Sequence, residues 1–375
     1  MEGSRAAQIN AVIAHDFTEV YGGAERIVAA IAEVFPDAPF WSILGRPSVT
    51  RRMGIGDRSH TVLPSRERLV RGFRALTPLY PAIVRARRLP AADVLITSTY
   101  AFAHGFRTEN DAPQVAYCYS PLRFAWSMTE DYESRWAAGP TRGAAFRALA
   151  AAMRAADRRA ARQVTTYVAE SEYIADQIRR FYGLEPEVIY PPVDCELFRP
   201  DGGRDHDDYF LICGRLIEPY KRFGIAIDAF RELPHRLLVA GDGPAYGELV
   251  ERAGDNVEFL GRLDDDELVP VMQRAAATLF PSTDDFGLIP VESMACGRPV
   301  IAFAAGGALE TVRAGETGEF FDRTTPEAIR AAVESFDPDA YEPDAIRAHA
   351  ENWALPRFQA QIREVVERTA LTSGV

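Results

Sequence analysis

Lysine is almost absent from this chain. It has 42 lysine and arginine residues, and Lys221 is the only lysine among them. Cysteine is scarce as well: Cys118, Cys195, Cys213 and Cys296 lie far apart and form no Cys-x-x-Cys pair. This spacing argues against a disulfide framework and against a cysteine-based zinc site, and it is typical of a protein kept in a reducing compartment.

Long hydrophobic runs are missing too. No stretch reaches the roughly 20 apolar residues that a membrane-spanning helix needs. The first residues lack the basic and then apolar pattern of a secretory signal peptide. We therefore expect a cytoplasmic protein. A length of 375 residues and a hydrophobic content of 47% favour a globular chain of two domains.

The acidic net charge of −12 is unevenly distributed. Residues 1–190 contain 24 arginines against 20 acidic residues, whereas residues 191–375 contain 18 basic against 34 acidic residues. In the segment 66–88, seven arginines alternate with apolar residues. This composition fits a peripheral contact with an anionic membrane surface, but solvated helix faces explain it equally well. Nucleic acid is not expected as a partner, because no nucleic-acid-binding motif is present.

Short β-branched and aromatic runs alternate with alanine-rich helical patterns along the chain. The predicted strands are 10–16, 40–44, 93–99, 114–120 and 165–171 in the first half and 209–216, 236–243, 257–263, 277–282 and 299–307 in the second. Apolar strands separated by helices are typical of parallel sheets covered on both faces. The sequence therefore predicts an α/β fold with two doubly wound, Rossmann-like domains, 1–190 and 191–351, joined by the proline- and glycine-rich stretch 191–208.

The single lysine stands in "CGRLIEPYKR". Gly214 follows a predicted buried strand, Arg215 would emerge at its carboxyl edge, and Lys221 lies near the start of the next helix. Two cations at a strand end and a helix start suit a diphosphate. A short reach to one phosphate oxygen favours a compact ammonium over a planar guanidinium. For this stretch alone, solvated surface cations are an equally good interpretation.

A second motif, "DDFGLIPVESMACGRPVIAFAAGG", covers residues 284–307. Asp284 and Glu292 bracket Phe286-Gly287-Leu288, and Gly287 allows backbone amides to approach a ligand closely. A carboxylate in the following helix can accept from two vicinal hydroxyls of a ribose or a hexose. An N-capping aspartate with an exposed helical glutamate is the alternative, and it explains less of the pattern.

Three further patterns are weaker evidence for a ligand site. Gly22-Gly23 immediately precede a helix and would permit a phosphate or sugar to approach, although glycine pairs commonly serve only as turns. "GDGPAYG" (241–247) resembles a dinucleotide fingerprint, but its last gap is one residue too long. Asp264 with Glu267 fits a helix capping box better than a metal site.

Taken together, "VYGGAER", "CGRLIEPYKR" and "DDFGLIPVESMACGRPVIAFAAGGALETV" resemble family 4 glycosyltransferases of the GT-B fold (glycosyl transferases group 1). "VAYCYSPLRFAWSMTEDY" (115–132) and "VIYPPVDCELF" (188–198) resemble the subgroup that includes bacterial O-antigen mannosyltransferases. The resemblance implies a retaining enzyme that needs no metal or other cofactor. It also implies two domains facing each other across a cleft, with the acceptor in the first, the nucleotide sugar in the second, and residues 352–375 packing back on the first.

The resemblance further implies roles for individual residues. Arg215 and Lys221 would neutralise the departing diphosphate, and Glu292 would hold the ribose. The donor-binding set is Gly22, Gly23, Gly214, Arg215, Lys221, Asp284, Phe286, Gly287, Leu288 and Glu292, the acceptor-binding set is Asp16 and Arg123, and the catalytic set is Tyr119, Asp284, Arg215 and Lys221.

Two positions depart from the family pattern. Asp284 replaces a glutamate, and Tyr119 replaces a histidine; a tyrosine with the ordinary pKa of about 10 is a poor base at neutral pH. We expect transfer of a hexose, mannose in the first instance, from GDP-mannose or a UDP-sugar to a lipid-linked or other glycan acceptor at the inner membrane face. A non-catalytic nucleotide-sugar binder and a GT-B sugar-nucleotide epimerase remain open alternatives.

Overall fold

The computed structural model describes residues 9–136, 139–203 and 206–372. The chain divides into two compact units, residues 1–190 with 358–375 and residues 191–357. None of the described helices is long and apolar enough to cross a membrane. The start of the chain, on which the expectation about a signal peptide rests, lies outside the described residues.

Parallel strands form the centre of the first unit. They are β1 (Ala11–Thr18), β2 (Phe40–Gly45), β3 (Ser59–Thr61), β4 (Arg88–Leu89), β5 (Val94–Thr99), β6 (Arg107–Thr108), β7 (Gln114–Cys118), β8 (Thr166–Ala169) and β9 (Glu187–Val188). Seven of them form one sheet in the order β3-β2-β1-β5-β7-β8-β9, while β4 pairs only with β6. The order reverses direction between β1 and β5, as in doubly wound folds.

Helices connect these strands. They are α1 (Gly23–Val34), α2 (Pro47–Arg52), α3 (Glu67–Arg71), α4 (Tyr80–Ala86), α5 (Thr129–Trp136), α6 (Pro140–Ala161) and α7 (Glu172–Tyr182). The local sequence explains where α7 begins, because the Ser171 hydroxyl accepts from the Ile174 amide at 3.1 Å. Buried aliphatic and aromatic side chains fill the space between this helical layer and the sheet.

The second unit repeats this architecture. Its strands are β10 (Tyr209–Cys213), β11 (Arg236–Ala240), β12 (Val257–Gly261), β13 (Ala277–Phe280), β14 (Val300–Phe303) and β15 (Gly318–Phe321). They form a parallel sheet in the order β12-β11-β10-β13-β14-β15. Its order reverses between β10 and β13, so the crevice that binds ligands in such folds is expected at the carboxyl ends of these two strands.

The remaining helices complete the chain. They are α8 (Phe223–Phe230), α9 (Tyr246–Arg252), α10 (Asp265–Arg274), α11 (Leu288–Ala295), α12 (Ala308–Thr311), α13 (Pro326–Glu334), α14 (Pro343–Ala350) and α15 (Leu355–Leu371). At the start of α10, Glu267 accepts from the Asp264 amide at 2.9 Å, which confirms the predicted capping box.

The last helix leaves the second unit and packs on the first. Phe358, Ile362 and Val366 are buried, and the Gln359 side-chain amide donates to Glu33 of α1 at 2.8 Å. This packing was expected from the resemblance. It begins at Phe358 rather than at residue 352, because residues up to 357 belong to the second unit.

The predicted α/β class with two doubly wound sheets is confirmed. A strand forms in each of the ten predicted runs, although most are shorter than expected at their carboxyl ends. Five short strands were missed, namely β3, β4, β6, β9 and β15. The last of them, "GEFF", is short and contains both a glycine and a charge.

Asp16 has a structural role that differs from its predicted contact with the acceptor. Its side chain is fully buried at the end of β1. The carboxylate accepts four backbone N–H groups, from Tyr100 at 2.6 Å, Ala101 at 2.8 Å, Phe102 at 2.5 Å and Ala103 at 2.7 Å. These bonds occupy all four lone-pair positions of the carboxylate. Asp16 therefore holds the backbone of residues 100–103, and its predicted place in the acceptor site stays a prediction.

Replacing Asp16 tests this role. We expect Asp16→Ala to lower the free energy of unfolding by about 3 kcal/mol or more, because buried amide donors lose their only charged acceptor. The exposed Glu109 supplies the control, and Glu109→Ala should change stability by less than about 0.5 kcal/mol. Denaturant unfolding measures both. Equal stability of the two variants would contradict the structural role.

Candidate active site

The loop that follows β10 is shaped by close backbone packing. Gly214 hydrogen bonds to Ala240 at 2.9 Å. A Cβ atom on Gly241 would lie 1.9 Å from the Gly214 carbonyl oxygen, and one on Gly243 would lie 2.4 Å from that of Leu216. The glycines of "GDGPAYG" therefore allow two loops to touch.

Lys221 lies between this loop and α8, and it pairs with Asp284. The ammonium contacts the Asp284 Oδ2 oxygen directly, with side-chain exposures of 22% for the lysine and 15% for the aspartate. The second carboxylate oxygen, Oδ1, is buried and has no hydrogen-bond partner among the described residues. A buried acceptor without a donor is costly. This oxygen is therefore a position where a ligand hydroxyl would be stabilised.

Arg222 links the loop after β10 to the loop after β13, a role that the sequence did not predict. It adopts a left-handed φ of 56°. Its Nη1 atom donates to the Pro281 carbonyl and to the Thr283 hydroxyl, each at 3.1 Å. Burial is the main cause that lowers its pKa below the usual arginine value. The adjacency of Lys221 and Arg222 was the only signal, and it could not show that the two cations point to different partners.

Arg215 stands at the carboxyl end of β10, as predicted. Its side chain is exposed and makes no hydrogen bond or ion pair within the described part of the chain. Lys221 and Arg222, by contrast, already bind groups of the protein. A free guanidinium is available for a bidentate contact with an anion.

The loop after β13 leads into α11 through Phe286-Gly287-Leu288. Phe286 is buried, with its ring 6.3 Å from that of Trp353. Gly287 has a left-handed φ of 86° and is the N-cap residue of α11, so the N-cap position itself supplies no side-chain acceptor. The Asp284 carbonyl accepts from the Gly307 amide at 3.0 Å. This bond joins the loop that leads into α11 to the loop after β14.

Glu292 is buried in α11. Its carboxylate lies near the Cys213 thiol at the end of β10: burial is the main cause that raises the pKa of Cys213 well above its usual range, and Glu292 adds to it. Lys221 acts on the same thiol in the opposite direction. The structure thus brings Lys221, Asp284 and Glu292 to one end of β10, as the motifs predicted.

In the first unit, the phenol of Tyr119 is buried and is hydrogen bonded to the Ser98 hydroxyl at 2.7 Å and to the Ala24 carbonyl at 3.0 Å. Burial raises the pKa of Tyr119 well above 10, which makes the phenol a still poorer base. Its oxygen holds the start of α1, and its predicted catalytic role stays a prediction.

The other predicted residues of this unit lie in loops. Gly22 and Gly23 stand at the start of α1, where the Gly22 amide donates to Glu25 at 3.0 Å. Arg123 is half-buried in the loop after β7. Nothing tests its predicted contact with an acceptor, which stays a prediction.

Comparison with known proteins identifies the family. A family model described as Glycosyltransferase Family 4 matches residues 21–197, and one described as Glycosyl transferases group 1 matches residues 207–336. A D-inositol 3-phosphate glycosyltransferase of Catenulispora acidiphila is 31% identical over 240 residues, covering 53% of this chain and 57% of the relative. An uncharacterized glycosyltransferase of Methanocaldococcus jannaschii is 30% identical, covering 44% and 47%. The chain spans about half the length of the curated relatives it matches.

Solved structures match nearly the whole chain. Anabaena HepE in complex with UDP and glucose superposes with a TM-score of 0.71 at 20% identity, covering 96% of this chain and 99% of that one. The lipopolysaccharide outer core galactosyltransferase WaaB gives a TM-score of 0.60 at 17% identity, covering 97% and 99%. These likenesses show the GT-B fold. The two family models, which match residues 21–197 and 207–336, show that this chain belongs to the family 4 glycosyltransferases, glycosyl transferases group 1.

Proposed function

We propose that this protein transfers a hexose from a nucleotide-diphosphate sugar to a lipid-linked or other glycan acceptor, with retention of configuration and without a metal ion. The observation that carries the proposal is the Lys221–Asp284 pair, in which the Asp284 Oδ1 oxygen is buried and has no hydrogen-bond partner among the described residues. A cationic group and a buried acceptor without a donor suit the two ends of a sugar diphosphate, and the backbone amides at the start of α11 add partial positive charge.

The cations account for the departure of the leaving group. As the bond from the anomeric carbon to the β-phosphate oxygen breaks, negative charge grows on the diphosphate. Arg215 and Lys221 stabilise that charge most strongly when it is greatest, which lowers the barrier rather than merely tightening binding. The acceptor oxygen bonds to the anomeric carbon on the same face, and the departing phosphate oxygen takes its proton. No tyrosinate is required, in keeping with the buried Tyr119 phenol.

The two carboxylates orient the donor. Asp284 Oδ1 accepts a hydroxyl of the transferred sugar, while Oδ2 stays close to Lys221. Glu292 holds the ribose hydroxyls from α11. The aspartate is one methylene shorter than the glutamate of the family pattern. The sugar hydroxyl that it binds therefore lies closer to the backbone of the loop after β13.

The identity of the donor is the finer part of the proposal. The sequence motifs favour mannose and GDP-mannose. UDP-glucose is the competing donor, since one HepE structure contains it. GDP-mannose and UDP-glucose are therefore the first two donors to compare.

Substitutions in the second unit test the donor site. We expect Lys221→Ala and Glu292→Ala each to lower sugar transfer or donor hydrolysis at least about 100-fold, because each loses a group that acts on the transition state or the ribose. Activity of the unaltered protein should persist in EDTA. Arg236→Ala is the matched control, since Arg236 begins β11 at the opposite, amino-terminal edge of the sheet and pairs with Glu258.

Different outcomes separate the alternatives. Turnover that survives both substitutions would remove the site assignment, and loss of turnover in EDTA would remove the metal-independent mechanism. Binding of a nucleotide sugar without turnover would favour a non-catalytic binder. Isomerisation of the nucleotide sugar with no acceptor would favour an epimerase.

A peripheral membrane contact through residues 66–88 is also part of the proposal. The arginines of this segment are all exposed: Arg66, Arg68, Arg71, Arg74, Arg85, Arg87 and Arg88. Some are engaged, such as Arg71 with Glu67, whereas Leu79 is 54% exposed on the same segment. Exposed cations beside an exposed leucine support adsorption to an anionic leaflet, where a lipid-linked acceptor would be found.

Liposome co-sedimentation tests this contact. Replacing Arg66, Arg68 and Arg85 together by alanine should weaken binding to phosphatidylserine-containing vesicles more than about tenfold at low salt, because each cation near the surface contributes about 1 kcal/mol. Replacing Arg231, Arg262 and Arg323, exposed arginines of the second unit, removes the same charge and should have little effect. Failure of the unaltered protein to bind at low ionic strength would rule the contact out.

A further inference from the structure

Hydrogen bonds close the turn that carries Lys221. The Lys221 amide donates to the Ile217 carbonyl at 2.9 Å. The Gly224 amide donates to the Glu218 carboxylate at 3.0 Å, and the Phe223 amide donates to the same carboxylate. Lys221 therefore lies inside a ring of backbone that the Glu218 side chain closes.

Glu218 occupies the place that an anion would take at the start of α8. Phe223 and Gly224 are the first two residues of this helix, and the first amides of a helix have no acceptor within it. A carboxylate satisfies these two amides and is favoured by the positive end of the helix dipole. They are therefore not available to a diphosphate, and the ammonium of Lys221 is the donor that this turn offers.

Arg252 of α9 supports Glu218. Its Nε atom donates to Asp228 at 2.6 Å, and a Cβ atom on Gly224 would lie 2.6 Å from its Nη1 atom. The guanidinium therefore lies against the start of α8, where the missing side chain of Gly224 leaves room for it. Burial is the main cause that raises the pKa of Glu218 above its usual value, whereas the two amides and Arg252 act in the opposite direction.

The backbone of Arg222 shows that contacts hold this turn in place. Arg222 follows Lys221 in the ring and has a φ of 56°. A residue with a side chain is strained in this left-handed conformation, and such strain persists only where the surrounding contacts fix the backbone. The bonds of Glu218 span Arg222, so they are among the contacts that fix it.

We infer that Glu218 is a positioning residue for donor binding, which fixes the turn from which the Lys221 ammonium reaches Asp284 and the donor diphosphate. Glu218 acts through the amides of Phe223 and Gly224 and does not touch the donor. All of these residues belong to the second unit. The inference rests on the proposed function, in which Lys221 binds the diphosphate.

The single lysine provides a direct readout of this role. Isotope-labelled lysine marks Lys221 alone, since the chain contains no other lysine. NMR of the labelled protein then gives one side-chain Cε signal, which reports on the ammonium and its contact with Asp284. Asp284→Asn supplies the position of this signal when the ion pair is lost. A residue that only stabilises α8 would leave the signal unchanged.

Removing the carboxylate should displace the lysine. We expect Glu218→Ala to move the ligand-free Cε signal towards its position in Asp284→Asn. The dissociation constant of the nucleotide that the protein binds, UDP or GDP, should rise about tenfold, because a displaced ammonium loses its charge-assisted contact with the diphosphate. Glu218→Gln keeps an oxygen for the Gly224 amide. It should return the signal to near its original position and the affinity to within about threefold of the unaltered protein.

Thr325→Ala is the matched control. The Thr325 hydroxyl also caps a helix of the second unit, since it accepts from the Ala328 amide at 3.3 Å at the start of α13. Its loss should lower the melting temperature, yet leave the Cε signal of Lys221 in place and the nucleotide affinity within about twofold of the unaltered protein. NMR, calorimetry and thermal unfolding measure these three properties.

Glu218→Asp covers the case in which Glu218→Ala does not fold. It keeps the charge beside Arg252 but is one methylene shorter, so it should move the Cε signal in the same direction by a smaller amount. An unmoved signal in the folded alanine or aspartate variant, or a change no larger than that of Thr325→Ala, would overturn the inference.

Nucleotide titration separates this inference from the proposed function. If the Cε signal of the unaltered protein responded to neither UDP nor GDP, the proposed function would fail, and the role of Glu218 in donor binding with it. A response in the unaltered protein, together with an unchanged signal and affinity in Glu218→Ala, would overturn the inference alone.

Discussion

The ion pair of Lys221 and Asp284 is the interaction on which the donor site of this protein depends. It joins the loop after β10 to the loop after β13, the two strands between which the sheet order reverses. Both side chains are mostly shielded from water, so the pair is held more firmly than an exposed one. A compact ammonium fits this contact, and it can turn to a phosphate oxygen without leaving the carboxylate. This explains how a single lysine has a use in a chain whose other basic residues are all arginine.

The neighbouring cations Lys221 and Arg222 have different roles at this site. Arg222 fixes the loop after β13 through the Pro281 carbonyl and the Thr283 hydroxyl. Lys221 links the same two loops through Asp284. A glycine allows the loop after β14 to touch the loop after β13: a Cβ atom on Gly307 would lie 2.2 Å from the Phe286 carbonyl oxygen. Tight backbone packing and the hydrogen bonds of Arg222 hold Lys221 and Asp284 in place before a ligand binds. Electrostatic catalysis requires this kind of preorganisation.

The sequence predicted the class of fold and much of the second unit. Apolar strands such as Phe210–Ile212 are visible as runs because both faces of a parallel sheet are covered. Lys221, Asp284 and Glu292 could be assigned together because their motifs follow neighbouring strands. The edge strand β15 was not visible, since it lacks a continuous apolar run.

The first unit was harder to predict, because backbone groups decide the roles of its polar residues. Asp16 looked like a residue at a strand end with a free carboxylate, yet it binds four amides of a loop that lies far away in the sequence. Tyr119 looked like a substitute for a histidine, yet it reaches the Ala24 carbonyl. The positions of backbone amides and carbonyls cannot be predicted from the residue types in the sequence.

The most direct measurement is a crystal structure of the protein with the nucleoside diphosphate that it binds. The ammonium of Lys221 should lie about 3 Å from an oxygen of the β-phosphate, with Arg215 turned to the same diphosphate. A diphosphate bound elsewhere, with Lys221 still in contact with Asp284 alone and Arg215 in bulk water, would contradict the electrostatic basis of the proposed function.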